Sequence, residues 1–147
     1  MRISARAEYA VRAAVFLARA PGRLSSPRIA ADEDIPAKFL EGILTSLVRA
    51  GIVASRRGAN GGYELDRPAG AVTVADVIRA VDGPLVFVRD QRPSDMAEEG
   101  ALLQLWVALR ANVRSVLEGT TLADLAAERL PPDVAALTSD PVAWENP

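Results

Sequence analysis

Apolar residues recur at spacings of three and four through most of this chain, and the rhythm changes to alternation in one short stretch. In IPAKFLEGILTSLVRAG, Phe39, Leu40, Ile43, Leu44, Leu47 and Val48 share one side of a helical period, leaving Lys38, Glu41, Thr45 and Arg49 on the other. Pro36 suits the first turn, where its missing N–H goes unused, and Gly51 suits the position just past the end. Ile52 to Ala54 then predicts a strand, Arg56, Arg57, Gly58, Ala59, Asn60, Gly61 and Gly62 a turn, and Tyr63 and Leu65 the returning strand. Upstream, Ser4 is an N-cap for ARAEYAVRAAVFLARA, whose stripe is Ala7, Ala10, Val11, Ala14, Val15 and Ala18, with Leu17 at its border and Tyr9 and Phe16 on the opposite flank. That many alanines predicts close approach of a neighbouring helix. Ser26-Pro27 opens a brief helix running to about Glu33, with Ile29 and Ala30 inward.

Downstream, Thr73 and Asp76 approximate a capping box for a helix carrying Val74, Val77, Ile78 and Val81, which Gly83-Pro84 stops. Leu85 to Val88 is apolar and fits helix or strand, and Arg89 to Pro93 is the plausible hinge. Ser94 is read as the cap of a long helix, with Asp95, Glu98 and Glu99 in its first turns, where carboxylates suit the positive end of the helix dipole. Its body, ALLQLWVALRANVRSVL, sets Leu102, Leu105, Trp106, Leu109, Val113, Val116 and Leu117 along one broad face. After Gly119, Thr121 and Asp124 suggest another cap, for a short amphipathic helix bearing Leu122, Leu125, Ala126 and Leu130. The tail, with prolines at 131, 132, 141 and 147, reads as irregular, and its Trp144 as a residue that tucks back onto the body.

The fold class is therefore mainly α with a small β-wing. Residues 1–84 read as a winged helix-turn-helix head, 85–130 as a linker, a dimerisation helix and a short packing helix, and 131–147 as an irregular tail. A short helix, a turn, a longer helix and a basic ribbon are the parts that lay one helix in the major groove of DNA and a wing beside it. Arg56 and Arg57 among small residues would let the tip enter the minor groove. The three glycines equally fit an ordinary hairpin, and both readings hold together. A nucleotide-binding phosphate loop is disfavoured, because a strand follows the glycines and the lysine and hydroxyl of that motif are missing.

Composition narrows the chemistry. With 147 residues, half of them hydrophobic, the chain is long enough for one core and an accessory element. It contains no cysteine and no histidine, which excludes disulfides, thiolate or imidazole metal sites and an imidazole base. No catalytic residue and no metal ligand is assigned, no spacing unites the remaining carboxylates and hydroxyls, and an enzyme is not expected. No apolar run is long enough for a membrane span and no signal-peptide core opens the chain, so a cytoplasmic location is expected. The net charge of −2 is unevenly held: residues 1–67 carry 11 Lys or Arg against 7 Asp or Glu, and residues 68–147 carry 6 against 12. That split fits a polyanion-binding head on an acidic body.

These residues resemble the Rrf2 family of bacterial transcription regulators, whose members include the iron–sulfur cluster regulator and nitric oxide and cysteine-metabolism repressors. The resemblance covers about residues 1–130 and rests on MRISARAEYAVRA, on the run from Ile35 to Leu65 with its R-G-x-x-G-G-Y wing, on VTVADVIRAVDGP, and on LWVALRANVRSVLEGTTLADL. It implies a homodimer of winged heads joined by crossed long helices on a pseudo-palindromic operator, acting as a repressor on double-stranded DNA. It also implies a base-reading role for Glu41, and minor-groove contact by Arg57, Gly58, Ala59, Asn60, Gly61 and Gly62. Lys38 and Gly42 fall where the iron–sulfur relatives carry a serine and, in one, a glutamine, so no operator sequence carries over. The family's cluster cysteines fall in the span Leu85 to Gly100, which here reads LVFVRDQRPSDMAEEG. No cofactor is expected, and an iron–sulfur cluster least of all.

The DNA-contacting set expected from both arguments is Pro36, Ala37, Lys38, Glu41, Thr45, Arg49, Arg56, Arg57, Gly58, Ala59, Asn60, Gly61, Gly62 and Tyr63. The long helix, too apolar to stand alone, is expected to meet its copy in a second subunit, with packing inside one chain as the alternative. A small-molecule effector site is placed at the junction of head and long helix, lined by Leu85, Val86, Phe87, Leu102 and Trp106; the alternative is that these side chains fill the junction. The competing function is a winged-helix protein interaction module without specific DNA binding. Wing arginines paired within the chain would favour that reading.

Overall fold

The computed structural model describes residues 2–97 and 99–145. The first helix, α1 (Ala5–Arg19), starts where the Ser4 hydroxyl accepts from the N–H of Ala7. Its buried face is Ala7, Ala10, Ala13, Ala14 and Leu17, so the inward stripe is turned toward Ala13 and Leu17 relative to the expected one, and Val11, Val15 and Ala18 lie at its edge. Helices α2 (Ser26–Asp32) and α3 (Ala37–Arg49) follow. The cap of α2 is Ser25, one residue before the expected Ser26, its hydroxyl taking the N–H of Arg28. Asp34 turns the chain at φ 50°, and the N–H of Ile35 closes the corner on the carbonyl of Ala30.

Helix α3 buries Leu40, Ile43, Leu44 and Leu47 against α1 and ends as the chain passes through Gly51 at φ 69°. The wing is an antiparallel pair, β1 (Val53–Arg56) and β2 (Gly62–Leu65), in the register Val53 to Leu65 and Arg56 to Gly62. A third segment joins it: Leu24 exchanges backbone hydrogen bonds with Tyr63 at 2.9 and 2.8 Å. The connection between α1 and α2 thus carries one residue of sheet pairing.

After the wing, α4 (Val74–Asp82) is held by the full Thr73–Asp76 capping box and stopped by Gly83 at φ 83°. The long helix, α5 (Ala101–Gly119), is capped at Gly100 and not at Ser94, and so starts later than expected. Ser94 lies in a short 3-10 turn, Pro93–Asp95, whose buried proline anchors it, and the chain enters α5 through Gly100 at φ 91°. Helix α6 (Leu122–Ala126) has its own capping box, Thr121 with Asp124, where the Thr121 hydroxyl and N–H hold the carboxyl below its ordinary pKa. The chain returns to the head here: Val74 N–H donates to Thr120 and Leu122 N–H to Val72, both at 2.9 Å. Leu122 is fully buried in the main core with Ala10, Leu40, Ile43 and Val72. Leu130, expected on α6, lies beyond its end and is exposed.

The tail is more regular than expected. Helix α7 (Pro132–Leu137) begins at a proline, which its first position tolerates, and buries Val134. A 3-10 turn at Pro141–Trp144 follows, and Trp144 remains 76% exposed with its indole N–H donated to the Thr138 carbonyl, so it folds onto the tail and not the body. Glu98, expected in the first turn of the long helix, and Asn146 and Pro147 of the tail lie outside the described residues. Among the described residues no helix is long and apolar enough to cross a membrane.

Candidate nucleic-acid interface

The orientation of α3 is set from three sides. Beneath it is the leucine and isoleucine face. Behind it, Arg12 of α1 donates to the carboxylate of Glu33 at 3.3 Å and to that residue's carbonyl, fixing the end of α2 just before the turn. A guanidinium at a helix C-terminus meets both the orphan carbonyls and the negative end of the dipole. Beside it, Arg6 reaches across from α1 to the Ser46 hydroxyl at 2.9 Å. Arg6 also lines a shallow hollow of about 260 Å³ with Lys38, Phe39 and Gly42.

Phe39 departs from the expected apolar face. It sits at the border of the buried stripe, 49% exposed, with its ring edge-on to Tyr9 at 5.9 Å. The outer surface of α3 presents Pro36, Ala37, Lys38, Glu41, Gly42, Thr45 and Arg49 to solvent. The Thr45 hydroxyl is turned back to the Glu41 carbonyl at 2.9 Å, and Glu41 itself is exposed.

At the wing tip the N–H of Gly61 donates to Gly58 across a four-residue turn at 2.9 Å. A β-carbon on Gly61 would come 2.3 Å from the Arg56 carbonyl, so the tip closes only around glycine. Arg56, Arg57, Gly58, Ala59 and Asn60 are exposed, while Gly61, Gly62 and Tyr63 are half-buried at the base. The one acidic side chain of β2, Glu64, is held by Arg23 at 2.7 Å.

Charge pairing distinguishes the cations of the head. Arg12, Arg19, Arg23 and Arg28 each have a carboxylate partner, the last at 2.5 Å from Asp32, a contact that raises the Arg28 pKa. Among the described residues, Lys38, Arg49, Arg56 and Arg57 form no ion pair. Arg6 was missed by sequence reasoning, since nothing in the spacing of α1 marks which arginine will lean onto the next helix.

No side chain of α5 is fully buried, and its surface is divided. Leu102, Leu105 and Leu109 point to solvent at 58, 56 and 39% exposure, and Val116 lies at the border. Trp106, Val113 and Leu117, expected on that outer face, are half-buried; Val113 and Leu117 line a hollow against α1 and α4 with Ala7 and Ile78. The expected effector residues do not converge. Val86 is buried, Phe87 and Leu102 are exposed, and of the five only Leu85 lines the cavity of about 350 Å³ at the junction, whose other walls are arginine-rich.

The profile of the Rrf2 family, described as an iron-dependent transcriptional regulator, matches residues 3–128. Rv1287 of Mycobacterium tuberculosis, provisionally named an HTH-type transcriptional regulator, is 50% identical over 151 residues, spanning 99% of this chain and 94% of its own. The HTH-type transcriptional regulator CymR of Bacillus subtilis is 37% identical over 128 residues, spanning 86% of this chain and 90% of its own. The solved structure of that CymR, described as the global cysteine regulator, superposes with a TM-score of 0.71 at 33% identity over 87% of this chain and 98% of its own. IscR of T. potens gives 0.72 at 30% identity over 87% and 88%. The iron in the family description finds no matching donors for a cluster here: the sequence has neither thiolate nor imidazole, and among the described residues no three acidic side chains gather to hold a metal ion.

Proposed function

Since this chain belongs to the Rrf2 family of HTH-type transcriptional regulators, we propose that it binds a pseudo-palindromic operator as a homodimer, in the cytoplasm, and acts there as a repressor that needs no iron–sulfur cluster. The family and the named relatives are transcriptional regulators and not enzymes, and DNA binding follows from that membership. The observation that carries the finer reading is the charge pairing of the head. Arg12, Arg19, Arg23 and Arg28 are each held by a carboxylate, while Lys38, Arg49, Arg56 and Arg57 stand on α3 and the wing without ion pairs among the described residues. Unpaired cations on one face attract the phosphate backbone, and wing arginines paired within the chain would have pointed to a protein partner instead.

Roles divide by chemistry. Glu41 accepts hydrogen bonds only, which suits a cytosine N4 amine, and Lys38 donates to guanine O6 or N7. Arg56 and Arg57 serve phosphates or the narrow groove. The exposed leucines of α5 support the second copy, since Leu102, Leu105 and Leu109 have no cover within the chain. The test is a set of binding curves on cognate and scrambled duplexes at several salt concentrations. Arg57→Ala should weaken binding to both and lower the salt slope by about 1. Glu41→Ala should mainly lose discrimination, by about 1–3 kcal/mol. Equal loss of discrimination in the two variants would reject the division of roles.

A further inference from the structure

The segment from 68 onward is acidic, with six cations against twelve carboxylates, yet four of those six cations surround one hollow. Arg79 from α4, Arg92 from the loop, and Arg110 and Arg114 from α5 line the cavity of about 350 Å³, with Gly83, Pro84 and Leu85 as its remaining wall. Like charges gathered this way repel, and a merely solvated surface would spread them. One carboxylate already shows how the guanidiniums are used. Glu118 is held between Arg114, at 2.9 and 3.3 Å, and Arg79, so arginines from two helices clasp an anion between them. The other pair is open. Arg110 donates to the Ser94 hydroxyl at 3.2 Å, which itself turns to Asp95 at 3.1 Å, and among the described residues neither Arg92 nor Arg110 has an ion pair.

We infer that this hollow is the binding site of a small polyanionic metabolite, one bearing two or more carboxylate, phosphate or sulfate groups, with Arg92 and Arg110 as its direct partners and Arg79 and Arg114 adding their field. Guanidinium forks match such oxyanions in pairs of parallel hydrogen bonds. The volume lies at the small end of ligand pockets, which fits a metabolite and not a polymer. Because the walls come from α4, the loop and α5, an occupant joins the head to the long helix. A ligand that favours one spacing of these elements shifts the population toward it. This regulatory half rests on the DNA-binding reading; the binding site itself does not.

The test begins with the full chain and no DNA. Citrate, inorganic phosphate and sulfate are titrated calorimetrically and, in a Trp144→Phe background, by the fluorescence of Trp106, one turn before Arg110, against sodium chloride at matched ionic strength. Saturable binding of at least one of the three is expected, weakened tenfold or more in Arg92→Gln and Arg110→Gln and unchanged in Arg129→Gln, whose arginine lies outside the hollow. Circular dichroism of each variant keeps loss of folding distinct from loss of binding. No saturable binding by any of the three anions, or an equal loss in Arg129→Gln, overturns the site. Operator affinity is then measured with and without the bound anion. A shift that disappears in Arg110→Gln supports control of DNA binding, an unchanged affinity overturns the regulatory half alone, and a protein that binds anion but no duplex overturns the DNA reading while leaving the site.

Discussion

Replacing Gly62 with alanine should loosen the wing from the head, and the structure sets the size of the effect. Gly62 has φ +132°, and a β-carbon there would meet the Leu24 carbonyl oxygen at 2.6 Å and its carbon at 2.9 Å. Both are backbone atoms, so no rotamer change relieves the contact. Keeping the native conformation costs about 1–3 kcal/mol of backbone strain, before the steric contact is counted. The alternative is to let the Leu24 segment move away, which gives up its two hydrogen bonds to Tyr63 at about 0.5–1.5 kcal/mol each. Either route costs at least about 1–3 kcal/mol, a large part of the stability of an ordinary domain. Gly58→Ala is the control: its φ is +105°, but a β-carbon there meets nothing within 4 Å, so it bears strain without collision. Urea unfolding of the two variants and the parent, followed by circular dichroism, isolates the collision as the difference between them. Operator binding should fall more in Gly62→Ala, because Arg56 and Arg57 then ride on a ribbon tied only at its base. If Gly62→Ala is no less stable than Gly58→Ala and binds equally well, the three-segment anchoring of the wing is wrong.

Changing both Leu105 and Leu109 to glutamate should give folded monomers by sedimentation, since neither side chain is buried within its own chain; a dimer of unchanged affinity would exclude this face as the contact. The Glu118 carboxyl, held by hydrogen bonds first from Arg114 and then from Arg79, is lowered from 4.5 to about 2. A depressed folded value means that its tie between α4 and α5 is complete above the unfolded pKa and is lost as pH falls toward about 2. For so accessible a group the tie contributes at most about 1 kcal/mol, and Glu118→Gln should remove it at pH 7 and make a much smaller difference near pH 2, where the folded carboxyl is half protonated, read from urea midpoints. An equal gap between the two proteins at both pH values would refute the assignment.

What could be read in the sequence was local. The boxes Thr73–Asp76 and Thr121–Asp124, the Ser4 cap and the glycines at 51 and 83 depend on residues within four positions of each other, and each forms as expected. The face of α3 was legible except at Phe39, whose place is decided by Tyr9 on another helix. The start of α5 was misread because Ser94 and the acids after it imitate a cap, whereas Pro93 is buried and draws them into a separate turn. Four prolines make the tail look broken, although a proline at the first helical position favours α7. The rest was not legible because it is made by distant partners. Leu24 beside Tyr63, Arg6 on α3, and the gathering of arginines from α4, loop and α5 have no signature at any fixed spacing.

The return of the chain at Thr120–Leu122 bears on how the protein is made. Leu122 fills the same core as α3, and its N–H donates to the carbonyl of Val72, fifty residues earlier in the chain. On the ribosome, at about 5–20 residues per second, that interval is roughly 3–10 seconds during which the wing and α3 have emerged and their core lacks its last side chain. The nascent head therefore matures only after α5 has been synthesised.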